Sequence, residues 1–205
     1  MNTAAKTGAL QGLQGLQRRN FLQLAGAGVG VGVMAGPGEI AVAASARPAQ
    51  KQARRNSALE AANKAVVGRW FDGFWGPAWR PSIIRELAAP DMLLQYSLHA
   101  PRRGQADILA FMTDFRAAFP DLAFGGTAPL IAQDDLVVGR WLGGGSHTGA
   151  AFSDFLAGPL PAATGRKMRF SGITVLRLAD GRIDEEIGLD DGVTALGQLG
   201  LLKKT

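Results

Sequence analysis

The stretch that most constrains this chain is MRFSGITVLRLADGRIDEEIGLDD, from Met168 to Asp191. Aromatic and β-branched residues run to Ala179, Asp180-Gly181 then supplies a two-residue turn that tolerates positive φ, and a second strand, Arg182 to Leu189, runs back. A tight turn pairs Arg177 with Asp184, Val175 with Glu186, Ile173 with Gly188 and Ser171 with Asp190. Side chains alternate between the faces of a strand, so this register puts Glu186, Gly188 and Asp190 on one face with Ile173 and Val175. Phe170, Leu176, Leu178, Ile183, Ile187 and Leu189 take the other face. Apolar residues on both sides predict a central, doubly covered hairpin, and carboxylates on its inner surface then need a reason.

The rest of the composition narrows the chemistry. At 205 residues and 47% hydrophobic, the chain can bury one core of ordinary size. The absence of cysteine excludes disulfides, thiolate nucleophiles and cysteine metal sites. His99 and His147 are too few and too far apart to suggest a metal site by spacing, so no metal is expected. The net charge of +5 sits mainly outside the folded part: Lys6, Arg18 and Arg19 lie near the start, and Arg47, Lys51, Arg54 and Arg55 in one short linker. The remainder is close to neutral, which argues against nucleic acid as a partner.

Residues 1–46 read as an export signal. Arg18-Arg19, Phe21 and Leu22 match the twin-arginine pattern, and a glycine-rich apolar run follows to about Gly36. At about 15 residues this run is short for a membrane span and suits a signal peptide. Ala41-Val42-Ala43 and Ala44-Ser45-Ala46 both offer small-residue cleavage sites. Such signals are receptor-read addresses, so the expected partner during export is the twin-arginine translocation machinery and the expected location is periplasmic or secreted. Residues 47–56, RPAQKQARRN, are basic and aperiodic and read as a disordered linker.

Residues 57–205 form the predicted domain. Ser57 and Glu60 make a capping box for a first helix, whose apolar stripe from Leu59 to Trp75 ends at Gly76-Pro77. A second helix over Ser82–Ala89 is broken by Pro90-Asp91, and a strand follows from Met92 to Leu98. A third helix spans Gln105–Phe119, with Ile108, Leu109, Met112, Phe115 and Phe119 on its apolar stripe. Strands are expected near 122–130, 131–133 and 136–142, with Gly143-Gly144-Gly145 freeing the backbone after them. After an irregular excursion over 150–164 comes the hairpin, then a last helix from Gly192 to Leu199, for which Asp191 is a natural N-cap. The order is α+β, with helices gathered on one side of a curved antiparallel sheet.

From about Leu59 to Leu202 the chain resembles the SnoaL-like polyketide cyclases, or ester cyclases, of the NTF2-like superfamily. The matching pieces are Phe115-Arg116-Ala117-Ala118-Phe119-Pro120-Asp121, Ser146-His147-Thr148-Gly149, Pro161 to Lys167, Asp180-Gly181-Arg182-Ile183 with Glu185-Glu186, and Leu196-Gly197-Gln198-Leu199-Gly200. The resemblance implies a cone of bent sheet, closed by N-terminal helices around an apolar pocket, often in a homodimer packed sheet to sheet. It also implies cofactor-free general acid/base chemistry on a hydrophobic, carbonyl-bearing small molecule. The family's acid/base is an Asp in a stretch like E-H-W-D. Here that stretch is Glu185-Glu186-Ile187-Gly188, so Gly188 stands at the aspartate position.

The candidate catalytic residues are therefore Glu186, with Glu185 taking its place if a bulge reverses the strand, Asp190, and His147 as an assisting group. Tyr96, Phe115 and Trp141 are the candidate substrate-binding wall. His99, beside Pro101 and two arginines, reads as a surface-loop residue. Two functions follow: an exported cyclase-type enzyme, or a non-catalytic periplasmic protein that holds an apolar ligand in the same cone.

Overall fold

The computed structural model describes residues 39–202. The twin-arginine motif and the apolar run behind it lie outside these residues. The sheet, its helices and the cavity belong to the compact unit Ala44–Thr205.

Helix α1 (Glu39–Trp70) continues through residues 47–56, where the sequence suggests a linker. Pro48 lies inside the helix, and beyond it alanine, glutamine, lysine and arginine are strong helix formers, so propensity sustains the helix there where no apolar period marks it. Ser57 is thus internal rather than an N-cap, and Glu60 instead accepts the Asp134 backbone N–H (3.3 Å). The helix ends in a π turn, Phe71–Trp75, closed by the Gly76 N–H on the Phe71 carbonyl (2.7 Å). Arg116 pins this end, donating through Nη2 to the carbonyls of Phe74 and Gly76, each at 2.9 Å. Burial lowers that guanidinium to about 10.

Helix α2 (Ser82–Leu87) passes directly into β1 (Ala88–Gln95), so Pro90 lies inside a strand rather than breaking a helix. The other elements are β2 (Arg102–Arg103), α3 (Gln105–Ala118), β3 (Ala123–Gly126), β4 (Ile131–Gln133), β5 (Leu136–Ser146), β6 (Lys167–Ala179), β7 (Arg182–Asp190) and α4 (Gly192–Gln198). Seven strands form one curved, unclosed sheet in the order β2-β1-β7-β6-β5-β3, with β4 also on β5; only the β1–β7 pair is parallel. The fold is α+β as expected. Gly143-Gly144-Gly145, expected to be loop, lie inside β5 because the sheet is crowded there: a Cβ on Gly143 would stand 2.3 Å from the Ala123 carbonyl oxygen, and one on Gly144 1.9 Å from that of Met168.

The central hairpin forms around the expected turn, with Asp180 and Gly181 at φ 50° and 72°. Its register departs from the expected one after two pairs. Ala179 faces Arg182 and Leu178 faces Ile183, but Arg177 then faces Glu185 rather than Asp184, and Leu176 faces Glu186 rather than Val175 doing so. Asp184 is the extra residue of a β-bulge, and Arg177 holds both bulge carboxylates, at 2.5 Å (Asp184) and 3.7 Å (Glu185). Glu186 therefore shares its face with the buried Leu176, Leu178 and Ile183. Ile173, Val175, Ile187 and Leu189 form the opposite face, which is exposed (49%, 41%, 36% and 76%), so the hairpin is covered on one side only.

Candidate active site

Between the concave face of the sheet and the helices lies an apolar cavity whose wall includes Trp75, Tyr96, His99, Phe115, Trp141 and Asp190. The three substrate-wall residues read from the sequence are thus brought together. The hollow is narrower than a ligand-filled cone: its water-sized interior is about 20 Å³, room for one or two waters. Ring contacts explain the tightness. Trp75 meets Tyr96 and Phe124 edge-on at 5.3 and 5.7 Å, and Trp141 meets Phe124 and Phe170 at 5.3 and 5.6 Å. A ligand of more than a few atoms enters only if some of these rings turn aside.

Glu186 is fully buried but does not line the cavity. Its Oε1 accepts from Tyr96 Oη (2.5 Å) and Trp75 Nε1 (2.9 Å), and its Oε2 from Trp70 Nε1 (2.7 Å). The π turn makes this possible. Residues five apart stand on one side of a helix only where its hydrogen bonds run i→i+5, and Trp70 and Trp75 are five apart. Burial raises the Glu186 pKa above its ordinary value, against the three donors that favour the anion. The result is a carboxylate committed to protein partners rather than one free to exchange protons with a ligand.

Gly188 explains why the expected acid is missing. A Cβ there would meet the Tyr96 ring at 2.0 Å, so the phenol occupies the space into which a side chain at position 188 would project. Tyr96 is itself held by Glu186 and lies 3.2 Å from the Thr174 hydroxyl. Burial and the adjacent Glu186 carboxylate push its phenol well above the usual range.

Asp190, the last residue of β7, does line the cavity. Its Oδ1 is buried without a hydrogen-bond partner, and burial raises its pKa. Asp191 beside it caps α4, accepting the Thr194 N–H at 3.2 Å. His147 is not in the cavity. It is fully buried, with Nδ1 2.9 Å from Thr164 Oγ1 and Nε2 2.9 Å from the Ala150 carbonyl, so both nitrogens serve the loop that carries it. Glu185 sits at the bulge beside Arg177, away from the cavity.

His99 is the wall residue that the sequence hides. It is only 8% exposed, and its Nδ1 lies 3.2 Å from Asp154 Oδ2. The neighbouring Arg102 suggests a solvated loop in the sequence, but its guanidinium turns inward onto Asp154. The available signal was Asp154 set between Phe152 and Phe155, an acid in an aromatic context. Among the described residues no cluster of His, Asp and Glu could hold a metal ion.

A curved sheet wrapped over helices, with an aromatic hollow and a single partly unpartnered acid in its wall, defines a small-pocket α+β protein of the cone type. The family model for SnoaL-like polyketide cyclase matches residues 65–199. The chain belongs to the SnoaL-like polyketide cyclase family. Among solved structures it is similar to a protein described as a SnoaL-like polyketide cyclase from Jannaschia sp. CCS1, with 23% identity, 71% of this chain and 96% of that one covered, and a TM-score of 0.59. It is similar also to IdmH of Streptomyces antibioticus, described as a polyketide cyclase, with 27% identity, 67% and 98% covered, and a TM-score of 0.51. The phenazine biosynthesis-related protein PhzB2 of Pseudomonas aeruginosa shares the fold at 15% identity, 73% and 87% covered, and a TM-score of 0.58. No curated protein matches the chain in sequence.

Proposed function

We propose that this protein is an exported, cyclase-type enzyme performing general acid/base chemistry on a hydrophobic, carbonyl-bearing small molecule. One observation carries the reading: Asp190 Oδ1 and Trp141 Nε1, an acceptor and a donor, are both buried without partners, and both residues line the same cavity. Leaving two such groups unpaired costs about 1–3 kcal/mol each, a cost that a suitable ligand removes. A carbonyl oxygen takes the Trp141 N–H, and the Asp190 carboxylate takes a proton from the adjacent carbon. A carbon acid flanked by carbonyls is already acidic and its enolate delocalised, so positioning and one carboxylate supply much of the acceleration without metal or organic cofactor. Tyr96 and Phe115 shape the apolar wall.

Gly188 in place of the family aspartate, together with the narrow hollow, favours a second reading: a periplasmic protein that binds an apolar ligand without converting it. Native mass spectrometry of the exported, signal-cleaved protein reports ligand mass, cleavage after Ala43 or Ala46, and subunit number together. Turnover of the recovered ligand that is abolished in Asp190→Asn while binding persists supports the enzyme; no turnover in the wild type sinks it and leaves the binder. The exposed face of Ile173, Val175, Ile187 and Leu189 suits a homodimer packed sheet to sheet, and Leu189→Lys is expected to lower the measured subunit number to one.

A further inference from the structure

We propose that His99, oriented by Asp154, is a second proton-transfer residue of the cavity and works as general acid opposite to Asp190's role as base. This rests on the cyclase reading. The imidazole cannot turn freely: Phe111 and Phe155 stand 4.9 and 5.0 Å from it, Phe115 5.2 Å and Phe152 5.9 Å. Burial alone would raise the Asp154 pKa, but hydrogen bonds from His99 and Arg102 outweigh it and hold the group below the ordinary carboxylate range. An ionised Asp154 accepts only, so His99 Nδ1 carries the proton between them. That leaves Nε2 as the ring's exchangeable site, and it has no hydrogen-bond partner among the described residues, in contrast to the doubly occupied ring of His147.

The charged groups around His99 are few. Asp154 lies on one side with Arg102 behind it, Arg102 also pairs with Asp107 (3.5 Å), and Asp190 shares the cavity; the other neighbours are phenylalanines. Fixing an imidazole by a carboxylate on one nitrogen and leaving the other for the substrate is how a proton donor is aimed.

The step closes as an intramolecular aldol addition. Asp190 takes the α-proton, and the carbon–hydrogen pair becomes the enolate. The enolate carbon attacks a second carbonyl carbon, whose π pair moves to oxygen, and that oxygen takes the Nε2 proton of the imidazolium. One C–H bond and one C=O π bond are lost; one C–C and one O–H bond form. The proton held by Asp190 returns to His99 through solvent.

The test uses the full-length protein labelled with ring-¹⁵N histidine. The two histidines should show opposite neutral tautomers: Nδ1–H for His99, and Nε2–H for His147, whose Nε2 faces the Ala150 carbonyl. An Nε2–H tautomer at His99 overturns the proposal without any variant. Asp154→Ala should abolish the Nδ1–H preference of His99 and leave the His147 tautomer unmoved; an unchanged His99 tautomer overturns the positioning role. The probe 1-phenylhexane-1,5-dione separates the two halves of the chemistry, since α-deuterium exchange needs only the base, whereas ring closure needs base and acid. His99→Gln should reduce ring closure at least about tenfold more than it reduces exchange, within the range general acids contribute. Equal reductions overturn the acid role. Exchange that is insensitive to Asp190→Asn instead removes the underlying reading of Asp190, a result distinguishable from either histidine outcome.

Discussion

Glu186 and Asp190 stand on one strand, point to one side of the sheet and are both raised by burial, yet the protein treats them in opposite ways. At the Glu186 end three donors, from α1, from the π turn and from Tyr96 just beyond β1, converge on the carboxylate, and the same phenol fills the space at Gly188. At the Asp190 end one oxygen has no partner and the side chain borders the hollow. Burial is common to both. What separates a structural acid from a chemically available one is how many of its lone pairs the fold has already used.

The largest effect is expected at Gly188. Gly188→Asp places a side chain against the Tyr96 ring and should cost about 3 kcal/mol in urea denaturation, the upper range for overpacking, with Tyr96→Ala in the same chain recovering part of it. Wild-type stability in the single variant would mean the two ends are not divided in this way. The tryptophans sharpen the contrast. Trp75→Phe removes a donor from a buried carboxylate and should destabilise by about 1.5–3 kcal/mol. Trp141→Phe removes an indole N–H that bonds nothing and should change stability by less than about 1 kcal/mol by the same measurement.

The smallest effect is in pH. Asp190 has a native pKa above its unfolded value, so its favourable contribution is complete below the ordinary carboxylate pKa and is lost as pH rises through the native one. Asp190→Asn should therefore gain on the wild type as pH increases from about 4 to 8, with the difference vanishing at the acid end. A difference that grows toward acid would reverse the assignment. For catalysis the sign is opposite: the base must be ionised, so turnover should rise with pH through the same transition.

The hairpin, its turn, the Asp191 cap and the aromatic wall were legible because each rests on local rules: alternation, positive φ at Asp-Gly, a side chain within reach of its own helix. The bulge was not, because Asp184 and Glu185 are both acceptable at a surface and nothing in their order says which is skipped. Glu186 thus reaches the inner face in company with Leu176, whereas alternation from the turn paired it with Val175. The exposed face was hidden for the same reason. Gly143–Gly145 read as freedom but serve close approach, which depends on neighbours far along the chain. His99 and Asp154 were illegible as a pair because they are joined across a loop and share no sequence period.

Two single-residue irregularities meet at the Glu186 carboxylate: the widened last turn of the first helix, and the extra residue at Asp184. Each shifts everything beyond it by one place, so neither is correct without the other. Chain length, counted residue by residue, fixes the address of this acid more than the identity of its neighbours does. Excising Asp184 would only regularise the pairing and leave Glu186 opposite Leu176. Inserting one residue after Glu185 would instead rotate the remainder of the strand by half a turn, sending Glu186 to the outside and Ile187 toward the indoles. A one-codon insertion is then a more drastic edit here than most exchanges of one amino acid for another.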